Sequence, residues 1–287
     1  MRARETRPAD WRAIEDLLKR APLTSAAPRR WDAHLTERGF VVTEMENVVE
    51  GALLVQSDES PVAWVRLAAV SDRLDVGPWL DISLPLILAH LGTVQVWELA
   101  WLDHDKWAGP FLESRGFCKR AEVITLAKTD RETPDVRAPS ITVRPATHAD
   151  TDTIALIDQM AFAPTWWRSE ATIRRRAATS SRFTLAERRS NVLGYAETEL
   201  HLPTAHLNRI AVNPDYQGQE VGALLLKQVL ESVWQSGAKT VSLNTQRSNR
   251  RSRRLYDRFG FQPTGDSATV WGLRLWHQAP DTQKEDR

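Results

Sequence analysis

The sequence has little cysteine and no long hydrophobic run. Cys118 is the single cysteine among 287 residues, which excludes an internal disulfide framework and any cysteine-rich metal site. The most apolar stretch, residues 84–91, is interrupted by Pro85 and His90, so no membrane-spanning helix is expected. The first residues also lack the apolar segment of a secretory signal. These absences favour a cytoplasmic protein that has no metal site.

The charge is nearly balanced over the whole chain but not within each half. Hydrophobic residues make up 42% and charged residues 26% of the chain, as in ordinary globular proteins. Residues 1–135 carry 17 basic and 22 acidic residues, whereas residues 136–287 carry 21 and 15. The imbalance favours an anionic ligand in the second half, although solvated surface charge is an equally simple explanation. The excess is too small to favour nucleic acid as a partner.

Two pairs of short segments indicate an internal duplication. Arg4 and Asp10 recur as Arg144 and Asp150, and the string FLESRGF at 111–117 resembles LYDRFGF at 255–261. The similar offsets predict two copies of a unit of roughly 140 residues. Residues 129–140 are polar and contain two prolines, which is typical of a linker. We therefore expect domains at 1–128 and 141–277, followed by a polar tail at 278–287.

The second half predicts an α/β fold of the α+β kind, with a mixed sheet. Asp150 can cap a helix whose apolar positions are Ile154, Ile157 and Met160. A strand that ends at Val212 is followed by a long amphipathic helix over 221–234 and then by another strand. This order predicts one parallel strand pair within a largely antiparallel sheet.

The connection between that strand and the long helix is rich in small residues. Residues 217–223 read QGQEVGA and run directly into the helix. Small residues let a ligand approach the backbone, and a helix start presents unpaired N–H groups and the positive end of its dipole. This geometry suits a phosphate or a pyrophosphate. A generic turn with two glycines would explain the spacing as well.

The segment VNPDYQGQEVGALLL, followed by RSNRRSRRLYDRFGF, resembles the two main motifs of the GCN5-related N-acetyltransferase (GNAT) superfamily. The first of these motifs is Gln/Arg-x-x-Gly-x-Gly/Ala after the fourth strand. The resemblance implies two tandem GNAT-like domains and acetyl-CoA as co-substrate. It implies that Tyr256 protonates the leaving thiolate. It implies cofactor contacts from Ile210, Ala211, Val212, Gln217, Gly218, Gln219, Glu220, Val221, Gly222, Ala223, Asn249 and Ser252.

Glu220 departs from the family motif because it stands where the first glycine belongs. A carboxylate there would repel a pyrophosphate, so we expect weakened binding of coenzyme A. Its side chain could turn to solvent or sit on the helix N-terminus as an anion mimic. Four arginines at 250, 251, 253 and 254 crowd the start of the next helix and oppose its dipole. A phosphate of coenzyme A, an acidic substrate or solvent could balance their charge.

Transfer of an acetyl group to an amine needs a base that accepts a proton. The candidates on the preceding strands are Glu197, Glu199, His201 and His206, of which His206 and Glu199 are favoured. His206 lies six residues before Val212, where some family members carry a glutamate base. Bacterial enzymes that acetylate ribosomal-protein N-termini also resemble this segment, but Asn244 holds the place of their strand glutamate.

The first half has lost the residues that carry this chemistry. Its counterpart loop, residues 70–79, has one glycine, two acids and Trp79, and Leu112 replaces the tyrosine. We interpret it as a degenerate copy without a cofactor site. The predicted function is transfer of an acetyl group to a primary amine of a small molecule or peptide. The alternative is a non-catalytic acyl-CoA-binding or interaction protein. A homodimer is left open.

Overall fold

The computed structural model describes residues 1–25, 30–57, 61–179 and 181–275. The chain forms two compact units, one of Met1–Ala121 together with the chain from Ala268, and the other of Glu122–Ser267. No helix in the described ranges is long and apolar enough to cross a membrane. The predicted polar tail at 278–287 lies outside the described residues.

The first unit is a sheet with helices packed against it. Its strands follow the order β1-β3-β4-β5-β6-β13, in which β13 is Gln262–Arg274, and β2 pairs with β5. The pairs are antiparallel except for β5 with β6, which is parallel. The strands and helices are β1 (Arg2–Glu5), α1 (Trp11–Arg20), β2 (Leu23–Ser25), β3 (Phe40–Met45), β4 (Val48–Gln56), β5 (Val62–Val70), α2 (Val76–Leu91), β6 (Glu98–Asp103) and α3 (Gly109–Glu113).

The second unit repeats this plan, with the strand order β7-β12-β11-β10-β9-β8. The pair of β11 with β12 is parallel, which confirms the prediction of one parallel pair across the long helix. The elements are β8 (Thr142–Pro145), α4 (Thr151–Ala161), α5 (Glu170–Ala177), β9 (Ser181–Arg188), β10 (Asn191–His201), β11 (Thr204–Val212), α6 (Val221–Gln235), β12 (Thr240–Gln246) and α7 (Arg250–Arg258).

Two strands are divided between the units. β7 (Cys118–Lys128) and β13 (Gln262–Arg274) each begin in one unit and end in the other. Thr269–Arg274 pairs with β6 in the first unit, and Val123–Lys128 pairs with β12 in the second. Each unit therefore takes its final strand from the part of the sequence predicted to belong to the other domain.

The predicted linker 129–140 contains neither helix nor strand. Val136 nevertheless lies in the core of the second unit, where it is 8% exposed. The compact units divide at 121/122 and 267/268, whereas the sequence predicts the division within 129–140. The boundary lies before the predicted linker because β7, which precedes the linker, pairs with β12 of the second unit. Val136 within the linker also packs in the core of that unit.

The sheet of the second unit separates two apolar cores. α6 covers one face and packs on Ala205, Leu207 and Val241. α4 and α5 cover the other face. Their residues Ile154, Ile157 and Ile173 form a core there with the ring of Tyr195, which lies on β10. Met160, which was predicted to belong to the apolar stripe of α4, is 43% exposed, so that part of the prediction is wrong.

The duplicated Arg–Asp pair has the same role in both units. Arg4 donates two hydrogen bonds to Asp10, of 2.7 and 2.8 Å, and Arg144 donates two to Asp150, of 2.9 and 2.8 Å. Asp150 also accepts the main-chain N–H of Thr147 at 2.7 Å. Its side chain makes no cap bond to α4, because the carboxylate is turned back to Arg144 and Thr147. The predicted capping of α4 by this side chain is therefore wrong.

Candidate functional site

The parallel strands β11 and β12 part before they end. They are paired only from Thr204 to Leu207 and from Thr240 to Leu243, although β11 continues to Val212 and β12 to Gln246. Between Glu197 and Thr198 the register with β10 shifts, which leaves Asn208 as the bulged residue of β11. The main chain of Ile210, Ala211 and Val212 thus runs along an opening in the sheet on the side of β12.

The predicted phosphate loop connects this opening to α6. Gln217 turns its amide back and donates to the carbonyl of Val212 at 3.0 Å. Gly218 has a φ of 81°, and a Cβ at this position would have nothing within 4 Å. The loop therefore presents bare, accessible backbone at its centre. A ligand can approach the main chain here without meeting a side chain.

Glu220, which stands where the family motif has a glycine, has a left-handed backbone conformation. Its φ is 62° and its ψ is 6°, a conformation that costs a non-glycine residue about 1 kcal/mol or more. The carboxylate accepts two hydrogen bonds from Arg258, of 2.9 and 2.7 Å, and makes no cap bond to α6. The side chain therefore neither turns freely to solvent nor sits on the helix N-terminus, because it is paired with Arg258. The anion mimic is not formed.

The start of α6 is left open by this arrangement. Its first helical bond runs from the N–H of Leu224 to the carbonyl of Glu220 at 2.9 Å. The N–H groups of Val221, Gly222 and Ala223 precede that bond and receive no side-chain cap from Glu220. They point out of the helix start together with the positive end of its dipole, a geometry that can hold an anion.

His206 and Glu199 are brought together by the strand register. They are Cα partners across β10 and β11, on the sheet face opposite to Ala205 and Leu207. His206 Nδ1 lies 2.8 Å from the hydroxyl of Ser242. Burial lowers the pKa of His206, and Arg176 and His201 lower it further, while Glu199 opposes them. The ring is therefore neutral at pH 7. If Ser242 accepts from Nδ1, Nε2 is left with a free lone pair.

Glu197 is an anchored carboxylate. It is fully buried and forms ion pairs with Arg168 and Arg176. Arg176 also donates to Glu199 at 2.7 Å, so both glutamates lie on one face, as their spacing in the strand predicts. Arg168 contacts one of its carboxylate oxygens and Arg176 the other, so neither oxygen is available to an incoming amine.

Tyr256 lies in the core that α6 forms rather than on the face of His206. Its ring packs edge-on against Phe261, with the centroids 5.8 Å apart, and burial raises its pKa. The phenol is therefore protonated at neutral pH and can only donate a proton. Asn249 caps α7 by accepting the N–H of Ser252 at 3.0 Å. Both residues thus fix the start of the helix that carries Tyr256.

A buried polar cluster around Asp158 was not found by sequence reasoning. Asp158 is fully buried and accepts the Tyr195 hydroxyl at 2.5 Å and the N–H of Arg168 at 2.9 Å. Arg209 Nε lies 2.6 Å from the same carboxylate, and Arg209 also donates to the carbonyl of Trp166. The cluster ties the segment 162–168 to β11. Its only signal in the sequence was Asp158 itself, an acid that directly follows the apolar run Ile154–Ile157 of α4.

The opening between β5 and β6 in the first unit, which corresponds to the opening between β11 and β12, is bordered by different side chains. β5 and β6 also part early, since only Val62–Trp64 pairs with β6. Trp79 and Trp101 are fully buried there, and Trp107 packs against both at centroid distances of 6.5 and 5.8 Å. The connection to α2 is five residues long (71–75), against eight in the second unit (213–220).

No group of three His, Cys, Asp or Glu side chains suited to a metal ion occurs among the described residues. A pocket of about 430 Å³ lies elsewhere in the second unit, between α4, β9 and α6, and is lined by Thr147, Arg182 and Ser232 among others. It includes none of the predicted site residues, which lie instead around the loop 213–220 and the opening between β11 and β12.

Comparisons with known proteins agree with this geometry. Residues 151–261 match the model of the acetyltransferase (GNAT) family. A [ribosomal protein bS18]-alanine N-acetyltransferase of Escherichia coli (strain K12) is 37% identical over 67 residues, which span 23% of this chain and 45% of that protein.

Solved structures extend the likeness in fold along the chain. The GCN5-related N-acetyltransferase from Sphaerobacter thermophilus superposes with a TM-score of 0.69 and 15% identity, covering 98% of this chain and 97% of that one. A tandem GNAT protein from the clavulanic acid biosynthesis pathway has a TM-score of 0.62 and 15% identity, covering 96% and 95%. Residues 151–261 therefore match the acetyltransferase (GNAT) family, and the fold is similar to that of these solved structures along nearly the whole chain.

Proposed function

We propose that the second unit transfers an acetyl group from acetyl-CoA to a primary amine by direct attack. The observation that carries the proposal is the open backbone around Gly218 beside the uncapped start of α6. Such a site fits a pyrophosphate. Bound there, acetyl-CoA would supply the activated thioester. Gln217–Ala223 would hold its phosphates, and the main chain of Ile210, Ala211 and Val212 would hold its pantetheine arm.

His206 is the proposed base. Its neutral ring can accept the proton of the attacking amine at Nε2, directly or through water. Nitrogen forms a bond to the thioester carbon, and the carbon–sulfur bond breaks. The Tyr256 hydroxyl then donates its proton to the departing sulfur. Glu199 faces His206 and stabilises its protonated form.

The proposed acceptor is a primary amine of a small molecule or peptide. The E. coli relative is named as an N-acetyltransferase of alanine in ribosomal protein bS18. This name supports a peptide or protein amine as the acceptor. Asn244 accepts a hydrogen bond from Thr125 at 2.9 Å, and it stands where the enzymes of that type carry a glutamate. We therefore propose an amine acceptor without assigning bS18. The cytoplasmic location and the homodimer stay predictions.

A second function, acyl-CoA binding without catalysis, is favoured by one observation. Glu220 places a carboxylate and a strained backbone in the loop. Release of free thiol from acetyl-CoA, measured with a panel of amines that includes a peptide with N-terminal alanine, separates the two functions when combined with thermal shift by CoA. Thiol release that depends on an amine supports the transferase. Binding without release supports the second function, and the absence of both contradicts the proposed site.

A further inference from the structure

Asn208 carries a buried hydrogen-bond donor at the point where β11 and β12 cease to pair. It is the bulged residue of β11, opposite the register shift in β10. Among the residues that the structure describes, none accepts a hydrogen bond from its Nδ2. A buried amide donor that is left unpaired costs free energy. A ligand that brings its own acceptor to this place would recover that cost.

The bulge places the Asn208 side chain on the same face of the sheet as His206. Leu207 packs in the core under α6, and Ile210 packs against the same core. Side chains alternate along a strand, so the two residues between them, Asn208 and Arg209, both lie on the opposite face. Arg209 is found there, paired with a carboxylate of α4. The amide of Asn208 therefore lies two residues along the strand from the proposed base, a separation of about 7 Å.

This face is the side from which the acceptor must approach, because His206 is proposed to take the proton of the amine. A sheet face presents side chains rather than main-chain N–H groups, so an acceptor bound here needs side-chain donors. The guanidinium groups of Arg168, Arg176 and Arg209 already pair with buried carboxylates. The acyl donor, in contrast, can bind to the main chain in the opening between β11 and β12. The amide of Asn208 is therefore available to the acceptor.

We propose that Asn208 binds the acceptor by donating from Nδ2 to a carbonyl oxygen beside the reacting amine. The inference rests on the proposed function and narrows its acceptor to an α-amino carbonyl compound, such as the first residue of a peptide or an amino-acid amide. In these compounds the carbonyl carbon is bonded to the carbon that carries the amine. The amine can thus meet Nε2 of His206 while the carbonyl oxygen meets Asn208. An alkylamine without a carbonyl leaves the buried donor unpaired and is a poorer acceptor.

Acetylation of L-alaninamide and of isopropylamine, followed through release of free thiol from acetyl-CoA, tests this role. Asn208→Ala and Asn208→Leu both remove the donor, and the leucine keeps most of the side-chain volume. We expect kcat/KM for alaninamide to fall about tenfold in both variants, because a hydrogen bond to a buried donor is lost. The value for isopropylamine should stay close to that of the wild type. Asn191→Ala, which removes an exposed amide at the start of β10, is the matched control and should change neither value.

The kinetic outcomes separate this inference from the proposed function. A similar loss with both acceptors would assign the amide to a group common to both reactions, such as the thioester carbonyl, and would overturn the inference. Unchanged kinetics in both variants would overturn it too, as would a wild type that acetylates isopropylamine but not alaninamide. Titration calorimetry with acetyl-CoA should give the wild-type affinity for both variants, and a weaker affinity would contradict an acceptor role. If the wild type releases thiol with neither acceptor, the proposed function itself fails.

Stability distinguishes an amide that binds a ligand from one that supports the fold. Asn208→Leu should unfold at the same urea concentration as the wild type or at a higher one, because within the described residues its Nδ2 has no partner to lose. A clear loss of stability in this variant would show that the amide supports the fold, and would contradict the inference.

Discussion

The two units differ where ligand chemistry is expected and agree where the fold needs specific residues. Both carry the bidentate Arg–Asp pair behind their first strand. Both end a helix with a glycine of positive φ, Gly116 at 82° and Gly260 at 78°, followed by a buried phenylalanine. These residues recur because the same turn and the same core contact must be made twice.

The loops and the openings between the strands differ. The first unit has the shorter connection, 71–75, in which no residue has a positive φ, and three tryptophans pack beside the place where its strands part. Trp79 lies so close to Gly51 that a Cβ there would approach its Nε1 to 2.5 Å. The second unit keeps an eight-residue loop around Gly218. Tryptophan side chains thus pack in the first unit at the place that corresponds to the opening in the second.

Removal of the part of β13 that belongs to the first unit should have the largest effect of the changes considered. Truncation after Ser267 deletes residues 268–274, which pair with β6 and bury Ala268 and Val270. We expect the first unit to lose its native structure, because an unpaired sheet edge and an opened core remain. The tryptophan signal in near-UV circular dichroism measures this loss. Truncation after Leu275 keeps the strand and is the control. A native spectrum for the shorter chain would contradict the assignment of this strand to the first unit.

The two units differ most in chemistry at the position of Tyr256, which is occupied by Leu112 in the first unit. Tyr256→Phe keeps the ring in its core and removes only the hydroxyl, so we expect turnover to fall by about 10²-fold or more. The affinity for CoA should stay within about twofold. Tyr216→Phe, which removes the hydroxyl that accepts from Asn191, serves as the control. Turnover of the Tyr256→Phe variant equal to the wild-type value would exclude the phenol as the acid.

The pH profile of turnover tests the proposed role of His206 in the second unit. Its pKa lies below the usual 6.5 because burial disfavours the charged ring, so turnover at saturating amine should rise with pH and level off below pH 6.5. His206→Gln should remove this acidic limb and lower turnover by about 10²-fold. Because the pKa of Tyr256 is raised, no loss is expected below pH 10. Rate measurements from pH 5 to pH 10 suffice. An unchanged limb in the variant would assign the base elsewhere.

Loss of the Arg–Asp pair should lower the free energy of unfolding by a similar amount in each unit. Asp10→Asn and Asp150→Asn each leave a guanidinium without its carboxylate, and we expect the free energy of unfolding to fall by about 3 kcal/mol. The pKa of each carboxyl is lowered, chiefly by its arginine. This stabilisation is therefore present above the unfolded pKa of 3.8 and is lost as the pH falls below it. Urea unfolding at pH 7 and pH 3 measures both effects. A loss confined to one unit would contradict the duplication at this pair.

Glu220→Gly should have the smallest effect on stability. Relief of the left-handed backbone contributes about 1 kcal/mol, and loss of the exposed pair with Arg258 removes about as much or less, so the net change should stay within about 1 kcal/mol. The affinity for CoA should rise several-fold. Glu220→Gln removes the charge and keeps a side chain at this position, so it separates repulsion from strain. Calorimetry measures both variants, and unchanged affinity in both would remove Glu220 as an obstacle to binding.

Much of the fold followed from local patterns. The switch from alternating to helical spacing around Val212 and Val221 placed the parallel pair, and the duplicated strings placed the repeat. The division of β7 and β13 between the units did not follow. Strand exchange leaves no local trace, because a strand has the same alternation whichever sheet it joins. Met160 was misjudged because apolar spacing does not reveal which helix face lacks a neighbour.

The site was predictable where it depends on the main chain. Small residues between a strand and a helix are visible in the sequence, and they led to the loop around Gly218. Side-chain partners were not visible. The pairing of Glu220 with Arg258 and the burial of Glu197 between two arginines depend on elements distant in the sequence. The Asp158 cluster, which fixes the segment 162–168, depends in the same way on β10 and β11.

Hydrogen–deuterium exchange with saturating CoA tests the central contrast most directly. The account predicts protection of the main chain at 210–223 and at the start of α7, with no change at the counterpart residues 70–79. Protection of both loops, or of neither, would contradict the proposal that only the second unit binds the acyl donor.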